Sequence, residues 1–111
     1  HHYKLDNLVA IIDRNRLQIS GETKNVLDTE SLLKKWKAFG WEALEVNGHD
    51  FNELIDAFRN LPIKENKPSC IITNTIKGKG LSFAENNYKY HYWKPTKEEM
   101  EKALKELGMK N

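Results

Sequence analysis

The chain has 111 residues, with 18 lysines and arginines against 16 aspartates and glutamates, a formal net charge of +2. That length holds one small domain, and so even a balance leaves no electrostatic footprint for nucleic acid or a membrane surface. With 39% hydrophobic and 31% charged residues, and no apolar run near the ~18 residues that cross a bilayer, the expectation is a soluble globular segment with neither membrane nor nucleic-acid partners.

The opening residues His1 to Asn7 read as the last turn of a helix. There is no initiator methionine and no secretory leader, so a segment of a longer protein is expected, although His1 and His2 are also what a purification tag leaves. Leu8-Val-Ala-Ile-Ile12 then reads as a strand buried on both faces, as in parallel sheets covered by helices. It opens at Asp13 into a polar loop running to Val26, whose oxygen-bearing side chains include Asp13, Asn15 and Gln18. In parallel sheets, ligands sit beyond the carboxyl ends of the strands, which makes this loop the first candidate site. Asn15 has two readings: a ligand to a hard cation, which takes oxygen donors, or a side chain that satisfies its own backbone after a strand.

Asp28 to Phe39 carries Leu32, Leu33, Trp36 and Phe39 on one helical face, with Lys34, Lys35 and Lys37 mostly on the others as a solvated surface. Asp28 or Thr29 would cap its start and Gly40 its end. Trp41 to Val46 reads as a strand and Asn47 to Asp50 as a turn, in which His49 is taken as structural. A capping-box-like Asp50 and Glu53 start a helix to Asn60 with Phe51, Leu54, Ile55 and Phe58 as its buried stripe; Pro62 stops it. After a charged linker, Ser69 to Thr75 is another buried strand, which contains the single cysteine, Cys70. One cysteine allows no intrachain disulfide and fits a reducing compartment, and Cys70 reads as a small buried hydrophobe. The fold class expected is α/β, a parallel-sheet βαβαβ with flanking helices and right-handed crossovers.

Thr75-Ile-Lys-Gly-Lys-Gly-Leu-Ser82 follows the third strand, so it should reach the same sheet edge as Asn15. Its glycines allow close backbone approach, and Lys77 and Lys79 suit a phosphate, though the Walker A spacing is absent and a basic surface turn explains the same residues. In the aromatic loop that follows, His91 is either a proton-moving group near phosphate or a side chain packed among Tyr90, Tyr92 and Trp93. The chain closes on a helix from Thr96 to Leu107, signalled by a Thr96/Glu99 capping box, a stripe of Met100, Ala103, Leu104 and Leu107, and Gly108 at its end.

Leu5-Asp-Asn-Leu-Val-Ala-Ile-Ile-Asp-Arg-Asn-Arg-Leu-Gln-Ile-Ser-Gly21 resembles the second half of the thiamine-diphosphate motif of transketolases. The resemblance continues through Lys35-Trp-Lys-Ala-Phe-Gly-Trp41, Glu45-Val-Asn-Gly-His-Asp50, Thr75-Ile-Lys-Gly-Lys-Gly80 and Ser82 to Pro95, and so covers nearly the whole chain. It implies that residues 1–111 are a fragment of the N-terminal, diphosphate-binding domain, with thiamine diphosphate and Mg²⁺ (or Ca²⁺) as cofactors. Asn15 would give the metal its side-chain oxygen and Leu17 its carbonyl, Lys77 would lie against the cofactor, and His91 would contact diphosphate and sugar substrate as the catalytic residue. The departure is His91-Tyr92, where many members have His-Gly.

The activity implied is transfer of a two-carbon ketol unit between sugar phosphates, in the cytoplasm and in the pentose phosphate pathway. The partner implied is the pyrimidine-binding half of the enzyme, in a dimer or other homo-oligomer. The upstream Gly-Asp-Gly that supplies the metal's carboxylate in that family is absent from the chain, as is the glutamate of the pyrimidine-binding domain, so the isolated chain is expected to be inactive and to self-associate. A non-catalytic fragment or subunit serving association or regulation is the alternative. A deoxyxylulose-phosphate synthase-like enzyme is disfavoured by the Asn-Arg-Leu-Gln-Ile-Ser run, since an Asn-x-Met-Ser-Ile type is expected there.

Overall fold

A computed structural model describes residues 1–109. In chain order the elements are β1 (Val9–Arg14), β2 (Leu17–Gln18), β3 (Gly21–Glu22), the single turn α1 (Thr23–Val26), α2 (Leu32–Ala38), β4 (Glu42–Asn47), α3 (Phe51–Arg59), β5 (Ser69–Asn74), a 3-10 turn at Tyr88–His91, and α4 (Lys97–Glu106). They form two compact units, one made of His1–Arg14 and Thr29–Thr75, the other of Asn15–Asp28 and the chain from Ile76 on.

The first unit carries the expected parallel sheet, in the order β1-β5-β4. The last strand inserts between the first two, and Arg14, Asn74 and Asn47 lie in register at its carboxyl end. Position in that order decides burial. The doubly buried strand is β5, whose Ser69 to Thr73 are all buried, and not β1 as expected. Among the described residues β1 has a neighbour on one edge only; Ala10 and Ile12 pack against the core while Ile11 is 57% exposed. A β-branched run reports that a strand forms and does not report its place in the sheet.

Ala43, Cys70 and Ile72 form the core, packed by Ala10, Ile12, Leu32, Leu33, Trp36 and Trp41. Burial pushes the Cys70 thiol up to about 11, which keeps it a neutral, inert filler. α2 presents Leu32, Leu33 and Trp36 as its spacing predicts, and Trp36 meets Trp41 edge to face at 4.7 Å. The helix is shorter than expected at both ends. Ser31, and neither Asp28 nor Thr29, caps it by accepting the Lys34 N–H, and Phe39 is the C-cap residue, 78% exposed.

Asp50 caps α3 as read, accepting from Asn52 N–H at 2.8 Å and Glu53 N–H at 3.3 Å. Glu53 does not close the box on Asp50; its carboxylate takes the Asn47 N–H at 2.7 Å, tying the helix start to the end of β4. The expected buried stripe does not form: Ala57 is buried, whereas Phe51 is 79% exposed and Ile55 and Phe58 are also exposed. His1 to Asn7 form turns and no helix. At the carboxyl end of the sheet, Arg14 pairs with Glu30 at 2.6 Å and donates to Asn74 Oδ1 at 2.6 Å, while the Thr75 hydroxyl donates to the Asp13 carboxylate.

In the second unit, β2 and β3 pair as a short antiparallel hairpin where the sequence showed only a loop. α4 has both bonds of its capping box, and Gly108 follows the cap residue Leu107 at φ +67°. Ala103 is buried, but Met100 and Leu107, expected with it, are exposed. Ser82 holds the far end of α4: its hydroxyl and N–H donate to Glu106 at 2.6 and 2.7 Å, and these bonds, with Lys102 nearby, hold that carboxyl below its ordinary range against an opposing desolvation.

Two outcomes follow from these contacts. Ile71→Ala, in fully buried β5, should cost about 2–5 kcal/mol in denaturant unfolding, and Ile11→Ala less than about 1 kcal/mol; equal losses would contradict the sheet order. Because the folded value of Glu106 is depressed, its stabilisation is complete above the unfolded carboxylate value and is lost as pH falls through the folded one. Melting followed through that acidic window should show a loss that Glu106→Gln reduces.

Candidate cofactor pocket

Two segments build the site, both within the second unit. The first leaves β1 directly: Asn15 Oδ1 accepts the Leu17 N–H at 3.0 Å, with Arg16 between them in the left-handed region at φ +62°. This bond fixes the amide, since the flipped group would set NH₂ against N–H. It is the backbone-satisfying role weighed for Asn15, and it leaves the oxygen a second lone pair.

Leu17 is held by the hairpin. The Arg16 carbonyl accepts the Thr23 N–H at 2.9 Å, and Leu17 is paired with Glu22 one step further on. An antiparallel ladder alternates hydrogen-bonded and non-bonded pairs, so the Leu17 N–H and carbonyl turn away from β3, toward the side where Asn15 caps the N–H.

The second segment follows β5. Gly78 adopts φ +75°, and a Cβ there would fall 2.6 Å from the Ala84 carbonyl oxygen. A side chain is therefore excluded both by conformation and by space. The loop closes on itself through Asn86 N–H to the Lys77 carbonyl at 3.0 Å and Gly80 N–H to Glu85 at 3.1 Å. Lys79 pairs with Glu85 at 3.6 Å, whereas Lys77 has no ion-pair partner among the described residues. Two lysines that the sequence left equivalent are thereby separated: one braces the loop and the other faces the pocket.

Asn15, Leu17, Gln18, Ile19, Lys77 and His91 line one pocket of about 260 Å³. All four residues expected from the sequence, Asn15, Leu17, Lys77 and His91, are brought together there. In the sequence Gln18 reads only as an oxygen donor and Ile19 carries no signal; the hairpin that delivers both is marked only by the Ser20-Gly21 dipeptide. The volume lies below the ~300–1,000 Å³ of complete small-molecule sites, so it has room for one end of a cofactor. His91 is exposed, at the end of the 3-10 turn, with Tyr92 edge-on to its ring at 4.8 Å.

The donor chemistry fits a hard cation only as part of a shared shell. Asn15 Oδ1 and the Leu17 carbonyl are neutral oxygens of the kind Mg²⁺ and Ca²⁺ accept. No group of three or more His, Cys, Asp or Glu that could hold a metal exists among the described residues. None of the six lining residues is a carboxylate, so the neutralising charge would come from a phosphate-bearing ligand or from a carboxylate beyond that lining.

Residues 1–111 match the family described as "Transketolase, thiamine diphosphate binding domain". The chain is 50% identical over 108 residues to an apulose-4-phosphate transketolase subunit of Phocaeicola vulgatus, covering 97% of this chain and 38% of that protein. It is 41% identical over 104 residues to a 6-deoxy-6-sulfo-D-fructose transketolase subunit of a Clostridium species, again covering 38% of the relative and 94% of this chain. Among solved structures, the transketolase of Campylobacter jejuni superposes with a TM-score of 0.86 at 32% identity, over 97% of this chain and 17% of that one. The chain therefore spans well under half the length of the relatives it matches.

Gly78→Ala should destabilise the chain by about 1–3 kcal/mol, the range for backbone strain combined with a clash. Gly80 is also left-handed, but its nearest neighbour is Leu107 at 3.8 Å, so Gly80→Ala should cost less. Chemical denaturation of the pair checks this, and equal costs would remove the steric argument.

Proposed function

Because the chain belongs to the transketolase family, matching its thiamine-diphosphate-binding domain throughout, we propose that it is part of an enzyme transferring a two-carbon ketol unit between sugar phosphates. Residues 1–111 are, on this reading, a portion of the diphosphate-binding domain of a longer subunit. The convergence of Asn15, Leu17, Lys77 and His91 on one pocket is the observation that carries it.

Asn15 Oδ1 and the Leu17 carbonyl would supply two neutral ligands to a Mg²⁺ or Ca²⁺ held together with the cofactor. Being neutral, they would leave the ion's charge to be balanced by phosphate oxygens and by a carboxylate from elsewhere. Lys77, free of the loop's internal ion pair, supplies a positive charge on the same side. His91, at the exposed rim, would donate a hydrogen bond to phosphate oxygen. Thiamine diphosphate, when bound, supplies the carbanion chemistry, and the protein supplies orientation and charge.

The relatives are named as subunits of transketolases acting on apulose 4-phosphate and on 6-deoxy-6-sulfo-D-fructose, which supports a partner chain carrying the pyrimidine-binding half. The substrate class proposed is the sugar phosphates.

The test uses the full-length protein with its partner chain, thiamine diphosphate and Mg²⁺. Ketol transfer from a ketose phosphate to an aldose phosphate is expected, and Asn15→Ala should raise the half-saturating cofactor concentration about 10–100-fold, the range for weakened metal sites. Turnover at unchanged cofactor demand in Asn15→Ala would remove the metal-ligand role, and no ketol transfer from any ketose phosphate would remove the function.

A further inference from the structure

The aromatic cluster next to His91 has no part in the proposed function. Phe83, Tyr90 and Trp93 meet at tilted or edge-on angles, with ring centres 5.8 Å apart for Phe83–Tyr90, 5.7 Å for Phe83–Trp93 and 5.1 Å for Tyr90–Trp93. Two of the rings have a polar tip, and both tips end on one carboxylate. The Tyr90 hydroxyl donates to Glu99 Oε1 at 3.2 Å, and the Trp93 indole N–H donates to Glu99 Oε2 at 3.2 Å. The same Oε2 accepts the Thr96 N–H at 2.9 Å.

A capping glutamate needs only the last of these bonds. The other two come from residues on either side of His91, one directly before it and one two residues after. The His91 ring itself makes no hydrogen bond to a described residue, and its aromatic neighbour is Tyr92, edge-on. No side-chain hydrogen bond fixes the imidazole, which leaves the backbone that Tyr90 and Trp93 hold as a determinant of its position.

We propose that Glu99 is a positioning residue for His91: by gathering Tyr90, Trp93 and Thr96 on one carboxylate, it fixes the loop that presents the imidazole to the pocket. This rests on the role proposed for His91 at the diphosphate. The electrostatics agree with the geometry. The Thr96 and Trp93 N–H donors hold the Glu99 carboxyl below its ordinary range against desolvation, so it stays ionised and keeps all three donors. Tyr90 is shifted the other way, upward, by desolvation and then by its bond to Glu99, so its phenol stays a donor.

Three substitutions separate positioning from capping. Glu99→Leu keeps the bulk and removes all three bonds. Glu99→Gln retains them if its oxygen faces Trp93 and Thr96 and its amide donates to the Tyr90 oxygen. Thr96→Ala breaks the cap from the other side, since Thr96 Oγ1 accepts the Glu99 N–H at 3.2 Å, and leaves the clasp whole.

The experiment uses the full-length enzyme. Without cofactor, amide hydrogen exchange across Tyr88–Trp93 should quicken at least about tenfold in Glu99→Leu and stay near the parent in Thr96→Ala and Glu99→Gln. Affinity for thiamine diphosphate in Mg²⁺, read by calorimetry, should fall about tenfold in Glu99→Leu, and adding His91→Ala to that variant should lower it no further than His91→Ala alone. Should Glu99→Leu fail to fold, Tyr90→Phe with Trp93→Phe removes two of the three bonds and should give the same exchange and affinity changes. Losses that multiply in the double variant, or that Thr96→Ala reproduces, would overturn the inference while leaving His91 its role. An unchanged affinity and turnover in His91→Ala would overturn both.

Discussion

Ser69 to Thr73 lie fully inside the first unit, and an extended backbone can be buried there only if its polar groups are paired along both edges. That requirement places β5 between β1 and β4, in register from Ser69 to Asn74 with both. The exits of β1 and β5 depend on it. Parallel neighbours end together, so the chain leaves Arg14 and Thr75 from adjacent strands at one end of the sheet. Asn15 and Lys77 follow within two residues of those exits, and they line the same pocket. The Arg14–Asn74 bond and the Thr75–Asp13 bond brace the exits against splaying.

The pocket's chemistry is that of a shared shell. Its fixed oxygens are neutral, its one unpaired cation is Lys77 among the described residues, and its histidine stands at the rim. On the proposed reading, such a set would hold little by itself and would gain its binding energy from an anion and a cation arriving together. This agrees with a chain that spans 38% of its related subunits.

Much of this was legible in the sequence, for identifiable reasons. Strands and helices announced themselves through β-branched runs, 3.6-residue spacing and the Asp50 and Thr96 caps, all of which are local signals. What failed was what depends on neighbours. Ile11, Phe39, Phe51, Ile55, Phe58, Met100 and Leu107 have the pattern of buried residues and are exposed in the described chain, because periodicity marks an apolar face without saying what covers it. The β2–β3 hairpin was hidden in a polar loop, since four residues of ladder are too short for a periodic signal. Glu99 was visible as half of a capping box, whereas its bonds to Tyr90 and Trp93 are tertiary and leave no spacing to read. Asn15, Leu17, Lys77 and His91 came from family resemblance, and no physical reading of the residues alone would have separated Lys77 from Lys79.

The central claim is that Asn15 and Leu17 share a divalent cation with a bound diphosphate. A crystal structure of the full-length protein with thiamine diphosphate and Ca²⁺, with the ion located by its anomalous signal, tests it most directly. One ion is expected at roughly 2.3–2.6 Å from both Asn15 Oδ1 and the Leu17 carbonyl, in contact with phosphate oxygen. An ion held elsewhere, or a diphosphate bound away from Lys77 and His91, would contradict it.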